Sequence, residues 1–306
     1  VTFAFGGDVH FEGGIRSKLD SDPAGMFSPI APELSQADIA MVNLETAITE
    51  GGNPVPKSYN FRAPARAFEA LRVAGVDVVT MANNHGVDYG PAGLADTLAA
   101  KAATPLGVVG IGANATEAYT PWKKEVKGER IAVIGASDVI DDFLISSWTA
   151  IDTQAGIASA KDVSQQRLVE SVRAARPEAD TLVVYLHWGA EGTSCPTQRQ
   201  RDLARVLVDA GADIVVGSHA HRVMTAGRLG PALVDYGLGN FVFYNESGAS
   251  GISGVLTVTA TGRDVDAYAW KPARIQGGIP RLLTGDVAAQ DIAAFNDRRS
   301  CTDLTP

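Results

Sequence analysis

Every histidine in this chain follows a short apolar run. There are five in 306 residues. His10 comes after Thr2-Phe3-Ala4-Phe5, His85 after Val76 to Met81, His187 ends Thr181 to Leu186, and His219 and His221 follow Ile214-Val215-Val216-Gly217. Short runs of branched and aromatic residues, closed by glycine or polar residues, read as buried strands. A chain patterned in this way must bring several strands to a common edge and leave imidazoles there. One isolated loop histidine is more often merely solvated, but that reading does not cover five placed alike.

The segments between these runs are helical. In Pro64 to Ala74, residues Ala67, Phe68, Leu71 and Ala74 recur at helical spacing, with Pro64 in the first turn and Gly75 at the stop. Further helices are expected over about Pro91–Ala103, Lys161–Ala175 and Thr197–Ala210, alternating with strands at 76–81, 107–111, 181–186 and 214–216. That βαβ rhythm predicts parallel pairing and right-handed connections. Trp122 to Ile134 reads as a hairpin, and strands follow at 224–228, 232–236, 255–260 and 265–270. Gly6 to His10 reads as the loop leaving the first strand, and the stretch from there to Pro32 as polar and irregular. Asp138 to Ala160 reads as a long loop whose Phe143 and Trp148 serve either as packing or as a substrate wall. No linker or fixed repeat divides the chain. We expect one unit over 1–285 and a C-terminal extension, 286–306, packed on it.

Composition narrows the functional classes. With 45% hydrophobic and 20% charged residues the chain can bury a substantial core, and a net charge of −9 without clustered Lys or Arg excludes a phosphate-backbone partner. No apolar run is long enough to span a bilayer, and no leader-like segment precedes the first strand. Any membrane association would come through a segment outside this sequence. Two cysteines, Cys195 and Cys301, are too few for a disulfide framework, and whether they form one bridge tying down the tail is left open.

The strand ends collect Asp8, His10, Asn43, Glu45, Asn83, Asn84, His85, His187, His219 and His221. In open α/β folds the ligand site lies beyond the carboxyl ends of the strands, where residues distant in sequence converge. Asp-x-His or His-x-His alone is a weak signal, whereas their joint placement at successive strand ends is a strong one. The nitrogen and oxygen donors are enough for two divalent transition metals sharing a bridging carboxylate.

The residues also resemble a known family. Gly7-Asp8-Val9-His10, Asn83-Asn84-His85, His187-Trp188-Gly189 and Gly217 to His221 are similar to the motifs of calcineurin-like metallophosphoesterases. Asn43-Leu44-Glu45, Phe61-Arg62-Ala63-Pro64, Ala82 to His85 and Leu238-Gly239-Asn240-Phe241 resemble the branch of capsule synthesis and poly-γ-glutamate biosynthesis proteins of the CapA type. The resemblance runs from about Thr2 to Trp270. It implies an α/β fold, a four-layer α/β/β/α sandwich with two mixed sheets face to face, and a dinuclear centre at one edge. Carried over position by position, Asp8, His10 and His221 would hold one ion, Asn84, His187 and His219 the other, and Glu45 would bridge. The wider superfamily has a bridging Asp in Gly-Asp-x-x-Asp-Arg, so Asn43-Leu44-Glu45 is a departure that could alter metal spacing.

Two ions would activate water and clamp phosphoryl oxygens. His85 is not needed for either ligand set and is read as a general acid, with a ligand role as its alternative. Arg62 is read as an anion clamp or a surface ion pair, and Asn240 as substrate-binding or structural. Asn43 is either a donor behind the ligands or a strand-end cap, and Asp88 an acceptor behind a ligating histidine. The expected function is a metal-dependent phosphoesterase acting on a small-molecule or cell-envelope substrate, in an extracytoplasmic or envelope setting. The other readings are an assembly or export factor binding an anionic polymer, and a metal-dependent amide hydrolase. Manganese, iron, zinc and cobalt all suit these ligands, and the sequence is silent on oligomeric state.

Overall fold

The computed structural model describes residues 1–306. Its first sheet has Thr2–Val9 near the centre. On one side Ile39–Leu44, Val78–Thr80 and Gly107–Val109 follow in parallel, each joined to the next through helical crossovers. On the other side Ile252–Thr261, Asp264–Gln276 and Ile279–Leu282 form an antiparallel meander, and Asn240–Val242 pairs parallel to Thr2–Val9. The second sheet runs Ala226–Leu229, Ala232–Asp235, Ile214–His219, Thr181–Trp188, Glu129–Ser137, Trp122–Val126, parallel in its middle and antiparallel at both edges.

Three apolar layers hold four structural layers together. Between the sheets, Phe3, Phe5, Met41 and Val78 meet Val133, Val183, Tyr185 and Val216. Outside the first sheet, Ile15, Leu19, Phe68, Leu71 and Leu94 pack from the helices Gly14–Ser21, Arg66–Val73 and Gly90–Ala103. Outside the second, Leu168, Val172, Leu203 and Leu207 pack from Ser164–Ala175 and Gln198–Ala210. The central strands are covered on both faces, which is why they read as unbroken apolar runs rather than as alternating ones. Thr197 caps its helix reciprocally with Gln200, so that boundary was marked in the sequence.

Several expectations are corrected. Gly6 and Gly7 do not begin a loop: the strand continues to Val9 through a register shift between Phe5 and Asp8. A Cβ at Gly7 would lie 1.8 Å from the Gly239 carbonyl oxygen, so this glycine admits the neighbouring Leu238–Gly239 backbone. Gly217 likewise does not end its strand. A Cβ there would lie 2.0 Å from the Trp188 indole nitrogen, and pairing persists to His219. The stretch before Pro32 holds the helices Gly14–Ser21 and, overlapping its end, Ala31–Ser35. The first was hidden because it buries only Ile15 and Leu19. Asn240 opens the strand Asn240–Val242. Trp148 is buried in the core while Phe143 is 60% exposed, and neither lines the cleft described below.

At the C-terminus, the helix Gly285–Asp297 stacks Phe295 on Trp270, with ring centroids 4.8 Å apart. Cys301 is disulfide-bonded to Cys195, and Thr305 exchanges two backbone hydrogen bonds with Arg228. No helix is long and apolar enough to cross a membrane.

Candidate metal centre

The carboxyl ends of the parallel strands from both sheets meet at one edge. From the first sheet come Asp8, Glu45 and Asn84; from the second come His187, His219 and His221. His187 Nε2 lies 2.8 Å from Asn84 Oδ1 and 3.4 Å from Glu45 Oε1. His221 Nδ1 lies 3.4 Å from Asp8 Oδ2, and the donor atoms of Glu45, His219 and His221 all fall within 4.8 Å of one another.

Behind these atoms is a buried amide relay. Asn43 donates from Nδ2 to Asp8 Oδ1 at 2.8 Å and lies 3.1 Å from His187 Nδ1. Asn83 in turn donates to Asn43 Oδ1 and to the Leu44 carbonyl, both at 2.9 Å, and its own Oδ1 accepts from the His85 backbone N–H. Asn240 Oδ1 lies 2.8 Å from His221 Nδ1. Two of the ligating candidates also have unusual backbones: φ is +100° at His219 and +52° at His221. Side chains other than glycine rarely adopt such angles, and where they persist the surrounding structure imposes them.

The electrostatics are divided. Burial pushes the Asp8 carboxyl up, but its hydrogen bond with His221 and the charges of His187 and His221 outweigh this and hold it well below the usual range. Burial lowers His221 too, yet Asp8 and Glu45 raise it to about 9. His219 is driven well down by burial and by its imidazole neighbours.

One residue decides whether a cation fits. Glu45 is wholly buried, and neither of its carboxylate oxygens has a hydrogen-bond partner. His219 Nδ1 is also buried and unpaired. A desolvated carboxylate with no donor is costly unless a positive charge meets it. The surrounding set of carboxylate, amide and imidazole donors suits a divalent transition metal.

His10 sits beside this cluster, near His85, His221 and Asp8, but neither ring nitrogen lies within 4.0 Å of a carboxylate oxygen. Its ring is stacked on Phe61, with Phe243 and Tyr244 edge-on, and the backbone N–H groups of Glu12 and Tyr244 point at its two nitrogens, at 3.0 and 3.3 Å. Burial and the neighbouring His85 and His221 push its pKa down to about 3. Arg62 is displaced. Its guanidinium lies 4.8 Å from the centroid of the Tyr89 ring, and it does not line the cleft.

His85 stacks on Phe61 with centroids 4.1 Å apart, and its Nδ1 is 2.6 Å from Asp88 Oδ2, while its Nε2 lies 3.9 Å from Glu45. Asp88 also accepts from the Phe61 backbone N–H at 2.7 Å and from Lys57 at 2.8 Å. Lys57, which also donates to the Asn84 carbonyl, is not marked in the sequence: it follows Pro54 and Pro56, and nothing local signals its burial. Over the cluster opens a cleft of about 420 Å³, with His85, His221, Asn240, Tyr59, Phe243 and Tyr244 among its walls.

The four-layer arrangement with this edge is the fold of the calcineurin-like metallophosphoesterases. A Staphylococcus aureus structure provisionally described as a 5'-nucleotidase, in complex with alpha-ketoglutarate, superposes with a TM-score of 0.53 at 16% identity, over 97% of this chain and 58% of that one. Residues 2–245 match the family model of the bacterial capsule synthesis protein PGA_cap, and the chain belongs to that family. It is 30% identical over 247 residues to the PGA biosynthesis protein CapA of Bacillus subtilis and 28% identical over 263 residues to the capsule biosynthesis protein CapA of Bacillus anthracis. These alignments cover 79% and 85% of this chain, and 63% of each relative's length.

Proposed function

We propose that this protein is a metal-dependent phosphoesterase of the cell envelope. The observation that carries the reading is Glu45, an unpaired buried carboxylate among three imidazoles, opening into a cleft beside a histidine–aspartate pair. Asp8, Asn84, His187, His219 and His221 would hold two divalent ions with Glu45 between them, and manganese, iron, zinc and cobalt all suit that donor set. Bound ions of this kind lower the pKa of water and neutralise phosphoryl charge. His10, which neighbours Asp8 and His221, would complete the set.

The chain's own groups do the rest. Asp88 fixes the His85 ring through Nδ1, which leaves Nε2 to give a proton to a leaving oxygen, a contribution of roughly 10²–10⁴ in rate. Phe61, stacked flat on that ring, limits its rotation and its access to water. Asn240 keeps His221 oriented from behind. The Cys195–Cys301 bond supports an oxidising, extracytoplasmic setting, and the relatives' names support an envelope substrate.

Metal-reconstituted protein should turn over members of an aryl phosphate mono- and diester panel and lose that activity to chelator. The relatives' names favour a second reading, an accessory factor that binds an anionic polymer. No turnover on any ester, with polymer binding retained, would establish that reading instead.

A further inference from the structure

Apart from its histidines, the cleft has two charged residues in its walls, Arg222 and Glu191. Neither forms an ion pair within 4.0 Å, although most arginines elsewhere in the fold find a carboxylate or several carbonyls. The guanidinium is nonetheless held. Nη1 donates to the His221 carbonyl at 2.9 Å and to Ser250 Oγ, while Nε and Nη2 have no protein acceptor. Ser250 is itself tied back to the centre: its carbonyl accepts from Asn240 Nδ2 at 3.0 Å, and Asn240 Oδ1 meets His221 Nδ1 at 2.8 Å. A closed ring of contacts therefore sets Arg222 at a fixed offset from a candidate metal ligand.

A permanently charged, planar donor with free N–H groups and a restrained stem is a receptor for an oxyanion, with little side-chain entropy left to lose. Resting on the phosphoesterase reading, we propose that Arg222 is a second anion subsite, and that the ligand class is a phosphate ester bearing a carboxylate. The phosphoryl group lies at the cluster and the carboxylate pairs with Arg222. Glu191 in the same walls disfavours a doubly charged second group, so it selects carboxylate over a second phosphate.

The test uses non-hydrolysable probes on the metal-loaded protein, with binding followed by calorimetry. Phosphonoacetate, 3-phosphonopropionate and 4-phosphonobutyrate are compared with alkylphosphonates of equal length and with propane-1,3-bisphosphonate. A charge-assisted contact predicts a preference of about tenfold or more for at least one carboxylated probe over its alkyl partner. In Arg222→Met that ratio falls toward one, and in Arg222→Lys it falls part of the way. Glu191→Gln narrows the gap between carboxylated and bisphosphonate probes. Should Arg222→Met fail to fold, Ser250→Ala loosens the same guanidinium and must reduce the ratio several-fold.

No preference in the wild type, or a preference that survives Arg222→Met and Ser250→Ala, overturns the subsite. Turnover is measured separately. Absent hydrolysis with an Arg222-dependent ratio sinks only the phosphoesterase reading, hydrolysis without the ratio sinks only the subsite, and a metal-loaded wild type that binds no phosphonate sinks both.

Discussion

The two sheets bring different chemistry to the same edge. The first supplies oxygen: the carboxylates of Asp8 and Glu45 and the amide of Asn84, steadied by Asn43 and Asn83. The second supplies nitrogen: His187, His219 and His221. It also keeps its own buried carboxyl neutral, since burial pushes Asp235, at the end of Ala232–Asp235, up to about 8. A mixed set of oxygen and nitrogen donors needs both sheets. The site is a property of the seam, and it exists only once the inter-sheet core has formed.

The largest expected effect comes from breaking the oxygen side. Glu45→Gln removes a buried carboxylate neither of whose oxygens has a hydrogen-bond partner, so metal affinity should fall by more than the 10–100-fold typical of residues behind a ligand. The apoprotein should at the same time become no less stable. Metal analysis after dialysis, alongside denaturant melts of the apo form, reads both, and full metal content in the variant would end the assignment.

His85→Asn comes next. It should leave metal content intact and reduce turnover by roughly 10²–10⁴. Loss of metal instead would make His85 a ligand and add one more imidazole to the first sheet, which would blur the division between oxygen and nitrogen sides.

The smallest effect concerns Asp235. Its folded pKa of about 8 against an ordinary 3.8 means that the folded state keeps a proton that the unfolded chain releases. Stability therefore falls as pH rises from about 4 through 8, by at most about 1.4 kcal/mol per pH unit, and the penalty is absent below that window. Asp235→Asn should remove the slope, so that the stability gap shifts in the variant's favour as pH rises from 5 to 8. Parallel pH profiles would show that this carboxyl is ionised in the fold and that the second sheet carries a buried negative charge of its own.

Much of this arrangement is legible in the sequence because buried parallel strands leave apolar runs, and a strand end followed by His, Asp or Asn is a local signal. The helix Gln198–Ala210 was marked by its cap, and the convergence of His219, His221 and Glu45 followed from their places at strand ends. What stayed hidden depended on side-chain direction. His10 has the same sequence context as His221, yet Phe61, Phe243 and Tyr244 enclose its ring. Arg62 and Arg222 are equally exposed to inference, and only the fold lays one over Tyr89 and the other against Ser250. Glycines were misread for a related reason: Gly7 and Gly217 answer to a backbone and an indole brought close by tertiary packing, which no nearby residue announces.

The positive φ angles at His219 and His221 bear on how this protein responds to selection. Glycine would relax the backbone at either position and would also delete the imidazole. A screen for thermal resistance should therefore be drawn to this short segment, and each improvement found there should come at the expense of metal. Substitutions enriched under heat at 219 and 221, and depleted when growth depends on the protein, would mark the segment as one kept strained by its use.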